Sequence, residues 1–533
     1  MNTKGKRIYL SNSVIGLLGI LLLAVILRLI FFYGSLGSMA MDIAEQANSI
    51  FKGIFDPISG GFTSRRIGLI YPIALMFWLF GINNFSLALY PLLCSLGSII
   101  ITFYIGKILF NERIGLLGAL LLCFYPLDIR VSTCAYPDGP TAFWGALSIL
   151  LFIIGDKTQQ PKKSILAFLL SGLSLGFTYL CKFTGTLVIL FFLGYILYNR
   201  KIKLIYLYTV LSFVIIVICE SLVYYLHTNI WFYSLHTIST KDGTSVTISP
   251  DYMLKEMWRY PRSFFISLYP YGFFFYFTTI SAIYGLIKRQ RSFNILLLWI
   301  VILFLYLQFG TTSFSHYALL SRLPRYLAVI SIPIVLLTSA FLIEKQNWLK
   351  GKFCIISVVF LILTSLFFSD LNMLDFEDAR TIEAIYKRLG PELNKPVYID
   401  ERAGNALRFL YNYKKNKYIK FYTRRRSVES FQFDKLSDIY VAAEFNSMRH
   451  ANRRWLAKYP DEIFTPPPHW EVVEEINNPG RWSSYLELKM IKWLIELPFV
   501  PKLLSKKILN TISDMDIEKD GVVHYIPDRE KID

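Results

Sequence analysis

The feature that most limits this chain is a series of apolar blocks, too long for strands and too numerous for one soluble core. Blocks over 13–33, 85–109 and 204–226 reach about the 20 residues with which a helix crosses roughly 30 Å of hydrocarbon. Shorter blocks cover 114–127, 140–154, 165–180, 183–198, 268–287, 293–309, 325–343 and 353–368. A chain in lipid must satisfy its own amides, and no barrel-like alternation runs through these blocks, so they are helices. The expected architecture is a multi-pass α-helical membrane protein with about 11 transmembrane helices. One further block, 67–80, is short for a span and reads as interfacial or re-entrant.

A net charge of +18 would suit nucleic acid, but its placement argues otherwise. The clusters are Lys4/Lys6/Arg7 before the first apolar block, and Lys157/Lys162/Lys163, Arg200/Lys201/Lys203, Lys288/Arg289/Arg291 and Lys345/Lys350/Lys352 in connectors between blocks. With all of them on the cytoplasmic face of a cell membrane, the positive-inside rule holds without conflict. No nucleic-acid partner is expected. The first block lacks a small-residue cleavage site and reads as an anchor. An odd number of spans then puts the C-terminal region outside.

Two regions follow: a membrane domain over 1–369 and an extracytoplasmic α/β tail domain over 370–533. In the tail, 376–389 has helical periodicity, while 397–399, 418–422 and 439–442 look like short buried strands alternating with helices such as 445–458. The stretch 492–512 mixes apolar and lysine positions, which suits a helix on a membrane surface or one packed on the tail. The six cysteines form no CxxC and lie in or beside apolar blocks, so neither a disulfide framework nor a zinc site is indicated.

Polar residues near membrane depth are costly and therefore informative. Asp42 and Glu45 follow the first block, and Arg65 and Arg66 precede the short one. Asp128, Arg130 and Asp138 fall in an expected outer bend, Lys182 stands alone between two apolar blocks, and Arg322 and Arg325 precede a late span. Each has a plain structural reading beside the functional one. Asp42 and Asp138 suit helix caps, Lys182 suits snorkelling, and the arginines suit anionic lipid head groups. Arg28, inside the first block, is expected to pair with a loop carboxylate. His227, His236 and His316 leave room for a divalent metal, though three scattered histidines carry little weight.

Taken in order, these residues resemble the GT-C superfamily of membrane glycosyltransferases, close to the protein O-mannosyltransferase and lipid A aminoarabinose transferase group. The resemblance rests on Arg28, then Asp42 with Ala47 and Gly53, then Arg66-Ile67-Gly68-Leu69-Ile70-Tyr71-Pro72 running into Phe80-Gly81. Tyr136-Pro137-Asp138, Lys182-Phe183-Thr184, Arg325-Tyr326 with Pro333, and Lys395-Pro396-Val397-Tyr398-Ile399-Asp400 continue it. Two departures are visible: Ile43 stands where a second acid is common, and Gln46 where an aromatic is expected.

The resemblance implies transfer of a sugar from a polyprenyl-phosphate-linked donor to a lipid, glycan or protein acceptor outside the membrane; no cofactor is assigned, and a divalent metal stays open. It implies Asp42 as the base, with Asp138 as its positioner or partner, and Lys182, Arg66 and Arg325 on the donor phosphate. Glu45 and Arg28 are accessory candidates, and membrane lipids are expected contacts. Two rival readings are a transporter or flippase of lipid-linked sugars and a surface-polysaccharide polymerase or ligase. The sequence shows no clear repeat of one half in the other, as many transporters do, and its acids cluster in outer loops, which favours an enzyme.

Overall fold

The computed structural model of the chain describes residues 12–34, 37–58, 61–200, 202–240, 257–268, 270–310, 320, 322–345, 351–374, 377–422, 433, 436–444, 460–463, 466–476 and 521–527. The helices expected at 445–458 and 492–512, and His316, lie outside the described residues. Two compact units are present: one of Met1–Gly34, Gln46–Leu79 and Phe85–Ser369, the other of Ser35–Glu45, Phe80–Asn84 and Asp370–Asp533.

In chain order the helices begin with α1 (Asn12–Ile30), α2 (Gly37–Phe51), α3 (Gly61–Ser64), α4 (Ile67–Phe80), α5 (Asn84–Leu109) and α6 (Glu112–Phe124). Next come α7 (Pro126–Ser132), α8 (Asp138–Lys157), α9 (Pro161–Cys181), α10 (Val188–Asn199), α11 (Leu207–Thr228) and α12 (Tyr233–Thr240). They continue as α13 (Arg259–Arg262), α14 (Phe274–Lys288), α15 (Arg291–Phe309), α16 (Ser331–Glu344) and α17 (Lys352–Leu374). Among the described residues, 8 helices are long and apolar enough to cross a membrane, and α6 with α7 makes one more if their 62° bend lies within one span. The shorter apolar helices are Ile67–Phe80, Phe183–Asn199 and Phe274–Lys288. The chain is thus a multi-pass helical membrane protein.

Lipid gives helices no hydrophobic reason to associate, so small residues and side-chain hydrogen bonds fix the contacts. Between α8 and α9, Ser148 Oγ donates to the Ser171 carbonyl at 2.7 Å and Ser171 Oγ donates to the Ser148 carbonyl at 2.8 Å. Between α9 and α11, a Cβ on Gly172 would lie 2.1 Å from the Thr209 carbonyl oxygen, so only glycine permits that approach. The most enclosed span is Pro324–Glu344, with 83% of its apolar window buried. Its helix α16 packs against α6, α14 and α15.

The expected outer bend over 128–138 needs correction. α7 carries Asp128 and Arg130 as helical residues, and the irregular link begins only at Thr133. Pro126 at the first position of α7 explains this, since a helix start tolerates a residue without an N–H.

The second unit holds α18 (Glu377–Leu389) and α19 (Glu401–Leu410) with a 5-stranded sheet of order β2-β1-β3-β5-β4. The strands are β1 (Val397–Ile399), β2 (Ile419–Phe421), β3 (Ile439–Glu444), β4 (Glu471–Ile476) and β5 (Gly521–Ile526). β1 runs parallel to β2 and β3, whereas β5 is antiparallel to both β3 and β4. Asp400 caps α19 after β1, its Oδ1 accepting from the amides of Arg402 at 2.9 Å and Ala403 at 3.1 Å. Tyr422, Phe433, Val441, Trp470 and Ile526 share the core on one face. The sheet is therefore mixed, and two of its strands lie beyond the three expected from sequence. β4 hides behind Glu471, Glu474 and Glu475, as an edge strand exposed on most of its length can.

Candidate active site

Three chain breaks in the first unit bring charged side chains together. At the first break, Pro137 precedes α8, and Asp138 takes the first turn, where the helix dipole favours a negative charge. Its side chain is buried. At the second, α9 stops at Cys181. Lys182 is extended, its amide donating to the Thr178 carbonyl, and a 3-10 turn over Phe183–Leu187 follows. At the third, Pro324 opens a 3-10 turn over Pro324–Ile330. The hydroxyls of Tyr260 and Tyr271 donate to the Leu323 and Pro324 carbonyls at 3.1 and 2.9 Å, which fixes where Arg325 starts.

The three side chains meet on Asp138. Lys182 Nζ lies 2.7 Å from Oδ1, and Arg325 Nε lies 3.2 Å from Oδ2. Aromatic faces hold both cations: Lys182 Nζ is 3.3 Å from the Tyr326 ring centre, and the Arg325 guanidinium is 4.3 Å from that of Tyr136. Arg66 is within electrostatic range of Asp138, Lys182 and Arg325, with its guanidinium 5.2 Å from the Phe62 ring centre. Burial draws the Lys182 ammonium, in the link between two helices, down to about 8, against the upward pull of Asp138. The same desolvation lowers Arg66.

The group borders a cleft. Asp138, Lys182, Thr184 and Tyr326 line its polar end, and Leu187, Val188, Leu303, Leu307 and Val329 its apolar wall. Lys182 and Arg325 at the polar end, their charge offset in part by Asp138, with hydrocarbon beyond, can take an anionic group on an apolar chain. Sequence reasoning singled out Lys182, Asp138 and Arg325 but gave no role to Tyr326, although the Arg325-Tyr326 pair was in view.

The other candidates fall elsewhere. Arg28 is fully buried in α1 and bonded to Asp128 Oδ2 at 2.5 Å, Ser95 Oγ at 2.9 Å, and the Ala24 and Cys123 carbonyls at 3.1 and 3.3 Å. Its carboxylate partner sits on helix α7 rather than in a loop. Asp42 and Glu45 lie on α2 in the stretch belonging to the second unit. There they come within electrostatic range of Tyr413, whose phenol burial pushes up, with Glu45 and Asp42 adding to it. Among the described residues, no group of three or more His, Cys, Asp or Glu side chains is placed to hold a metal ion.

Comparison with known proteins bears on the family likeness and the fold. A family model described as dolichyl-phosphate-mannose-protein mannosyltransferase matches residues 67–225, a segment that contains Asp138 and Lys182 and begins one residue after Arg66. A search of curated proteins finds no match. Among solved structures, ArnT from Cupriavidus metallidurans in the apo state superposes with a TM-score of 0.56 at 13% identity, over 87% of this chain and 97% of that one. The same protein bound to undecaprenyl phosphate gives 0.53 at 13% identity, over 86% and 96%. The Archaeoglobus fulgidus oligosaccharyltransferase gives 0.55 at 13% identity, over 96% of this chain and 88% of that one. In family model over its central helices, and in fold over most of its length, this chain resembles the GT-C membrane glycosyltransferases.

Proposed function

We propose that the protein is a membrane glycosyltransferase that moves a sugar from a polyprenyl phosphate to an acceptor hydroxyl outside the membrane. The observation that carries this reading is the shared grip of Lys182 and Arg325 on Asp138 at the polar end of an apolar-walled cleft. The acceptor oxygen bonds to the anomeric carbon. The bond from that carbon to the phosphate oxygen breaks, and its electron pair leaves on the phosphate. Lys182, Arg325 and Arg66 stabilise the departing anion in a poorly hydrated site, where fixed cations count for more than in water. Asp138 orients the cations. For the base that takes the acceptor proton, the family resemblance points to Asp42.

Incubating the purified protein with polyprenyl-phosphate sugars should release free polyprenyl phosphate in an acceptor-dependent way. Asp42→Asn should slow this release by about 10²–10⁴-fold, the usual cost of losing a general base. Normal turnover in that variant would pass the role to Glu45. For the orientation, a single cysteine at exposed Ser437 should react with an impermeant reagent from outside, and one at Gln290 should be protected. The reverse pattern would move the site to the cytoplasm.

A further inference from the structure

Arg65 and Arg66 are neighbours in the chain with different surroundings. Arg66 comes within electrostatic range of Asp138, Lys182 and Arg325. Arg65 is bonded instead to its own short helix and to α12. Its Nε donates to the Gly61 carbonyl at 3.2 Å, and its Nη1 donates to Thr237 Oγ1 and, at 3.4 Å, to the Ser234 carbonyl. Thr237 Oγ1 donates in turn to that same carbonyl at 3.1 Å.

Behind this contact stands Glu220, the one carboxylate of α11, and it is buried. One of its oxygens accepts from Ser234 Oγ at 2.5 Å and the other from Tyr179 Oη at 3.0 Å. The next residue, Ser221, accepts at its Oγ from the Phe232 amide at 2.7 Å, so α11 holds the entry to α12 at two points. Arg65 lies within electrostatic range of Glu220. An ionisable group inside a span is costly, and here two hydroxyl donors and a guanidinium offset the cost.

Both ends of this run of contacts land on α9. Tyr179 is two residues before Cys181, and Cys181 Sγ donates to the Gly68 carbonyl at 3.3 Å. That joint between α4 and α9 is close: a Cβ added to Gly68 would come within 2.9 Å of Leu180 and Cys181. Gly68 lies in the first turn of α4, where the amides of Leu69 and Ile70 donate to the Arg66 carbonyl at 2.8 and 3.0 Å. The contacts therefore close a ring through Tyr179, Glu220, Ser234, Arg65, Arg66, Gly68 and Cys181, with Lys182 next in the chain. The joint at Gly68 alone would let the start of α4 pivot. The Glu220 arm removes that freedom.

We infer that Glu220 is a positioning residue: acting through Ser234 and Arg65, it fixes Arg66 so that this guanidinium and the Lys182 ammonium address one donor phosphate. This rests on the glycosyltransferase reading above. Glu220 acts here on a neighbouring side chain and not on the donor. Its charge keeps Arg65 at α12 and leaves Arg66 to the phosphate.

The test measures binding of radiolabelled polyprenyl phosphate to the full chain in nanodiscs, in double-mutant cycles with Arg66→Gln. Glu220→Gln keeps the shape and removes the charge. It should weaken binding about tenfold in the parent and leave it unchanged in the Arg66→Gln background, a coupling usual for residues of one network. Arg65→Met should do the same. Thr237→Val, at a half-buried position, removes one oxygen from Arg65 and should weaken binding less, again only while Arg66 is present. Melting temperatures are taken for every variant, and if Glu220→Gln does not fold, the Arg65 and Thr237 cycles decide by the same criterion. A merely structural Glu220 would weaken binding by the same factor with and without Arg66. That result would overturn the inference, as would parental binding in both Glu220→Gln and Arg65→Met. The binding measurement needs no turnover. A parent that binds polyprenyl phosphate yet releases none from any sugar donor would strike the glycosyltransferase reading alone, and the cycles would still decide the role of Glu220.

Discussion

Two buried ion pairs in the first unit look alike at first and differ in what surrounds them. In one, Arg28 meets Asp128 with its remaining nitrogens bonded to Ser95 and two carbonyls, and Ser95 Oγ donates to the same carboxylate at 2.5 Å. In the other, Asp138 is divided between Lys182 and Arg325, the cations lie on aromatic faces, and a cleft opens beside them. The first is a closed network that holds α1 to α5 and α7. The second keeps donors along an open wall. Burial of charge does not by itself mark a functional site; the cleft beside the charge, here of about 20 Å³, is what makes the second pair the candidate.

The sharpest way to break this comparison is to delete a cation from the closed pair. Arg28→Met should destabilise the detergent-purified protein by about 3–5 kcal/mol, because it strands Asp128. Arg28→Met with Asp128→Leu should recover much of that loss, since a pair replaced together by apolar groups leaves no buried charge. Thermal unfolding of both variants reads the difference. A single variant as stable as the parent would put the Arg28 pair in the wrong class.

Next, Lys182→Met should lower the melting temperature less than Arg28→Met does, because Arg325 still faces Asp138, but reduce release of polyprenyl phosphate by about 10²–10³-fold, the scale of losing one donor to a developing anion. Lys182→Arg should restore part of it, because a planar fork does not sit where a compact ammonium did. A lysine present only for its stem would allow both variants full activity.

Smaller effects refine the contrast. Ser95→Ala removes a hydroxyl from the closed network and should cost about 1.5–3 kcal/mol in stability, with activity per folded molecule intact. The weakest effect is in pH. Burial lowers the Lys182 ammonium to about 8, and it must be protonated to hold a phosphate. Below about pH 8 it adds no pH dependence to binding. Above that point donor affinity should fall by up to about tenfold per pH unit. The Lys182→Arg variant should bind with a flat profile over the same range, as arginine stays charged.

Much of the membrane architecture was legible because bilayer thickness acts on local sequence: each apolar block carries a helix. Lys182 stood out for the same reason, as one cation between two hydrocarbon stretches. Asp128 was read as part of an outer bend because its flanking prolines and charged neighbours look like a loop; only the partner Arg28, 100 positions away in sequence, makes a helix there tolerable. Glu220 disappeared inside an apolar block, since window-averaged hydropathy hides a single acid whose hydrogen bonds come from Tyr179 and Ser234 on other elements. In the tail, β5 pairs with β3 across a long stretch of chain, so its strand character depends on a partner the local pattern cannot show.

The joint at Gly68 also has a consequence for how the protein is made. α4 has 14 residues, too few to span the bilayer comfortably, and the surface that accepts it belongs to α9. That surface is synthesised 113 residues later, so at about 5–20 residues per second α4 waits on the order of ten seconds for its seat. During that interval an apolar, proline-containing helix has only the membrane surface to shelter it. Final placement of Arg66 beside Lys182 is therefore a late event in biogenesis, completed after α9 has entered the bilayer.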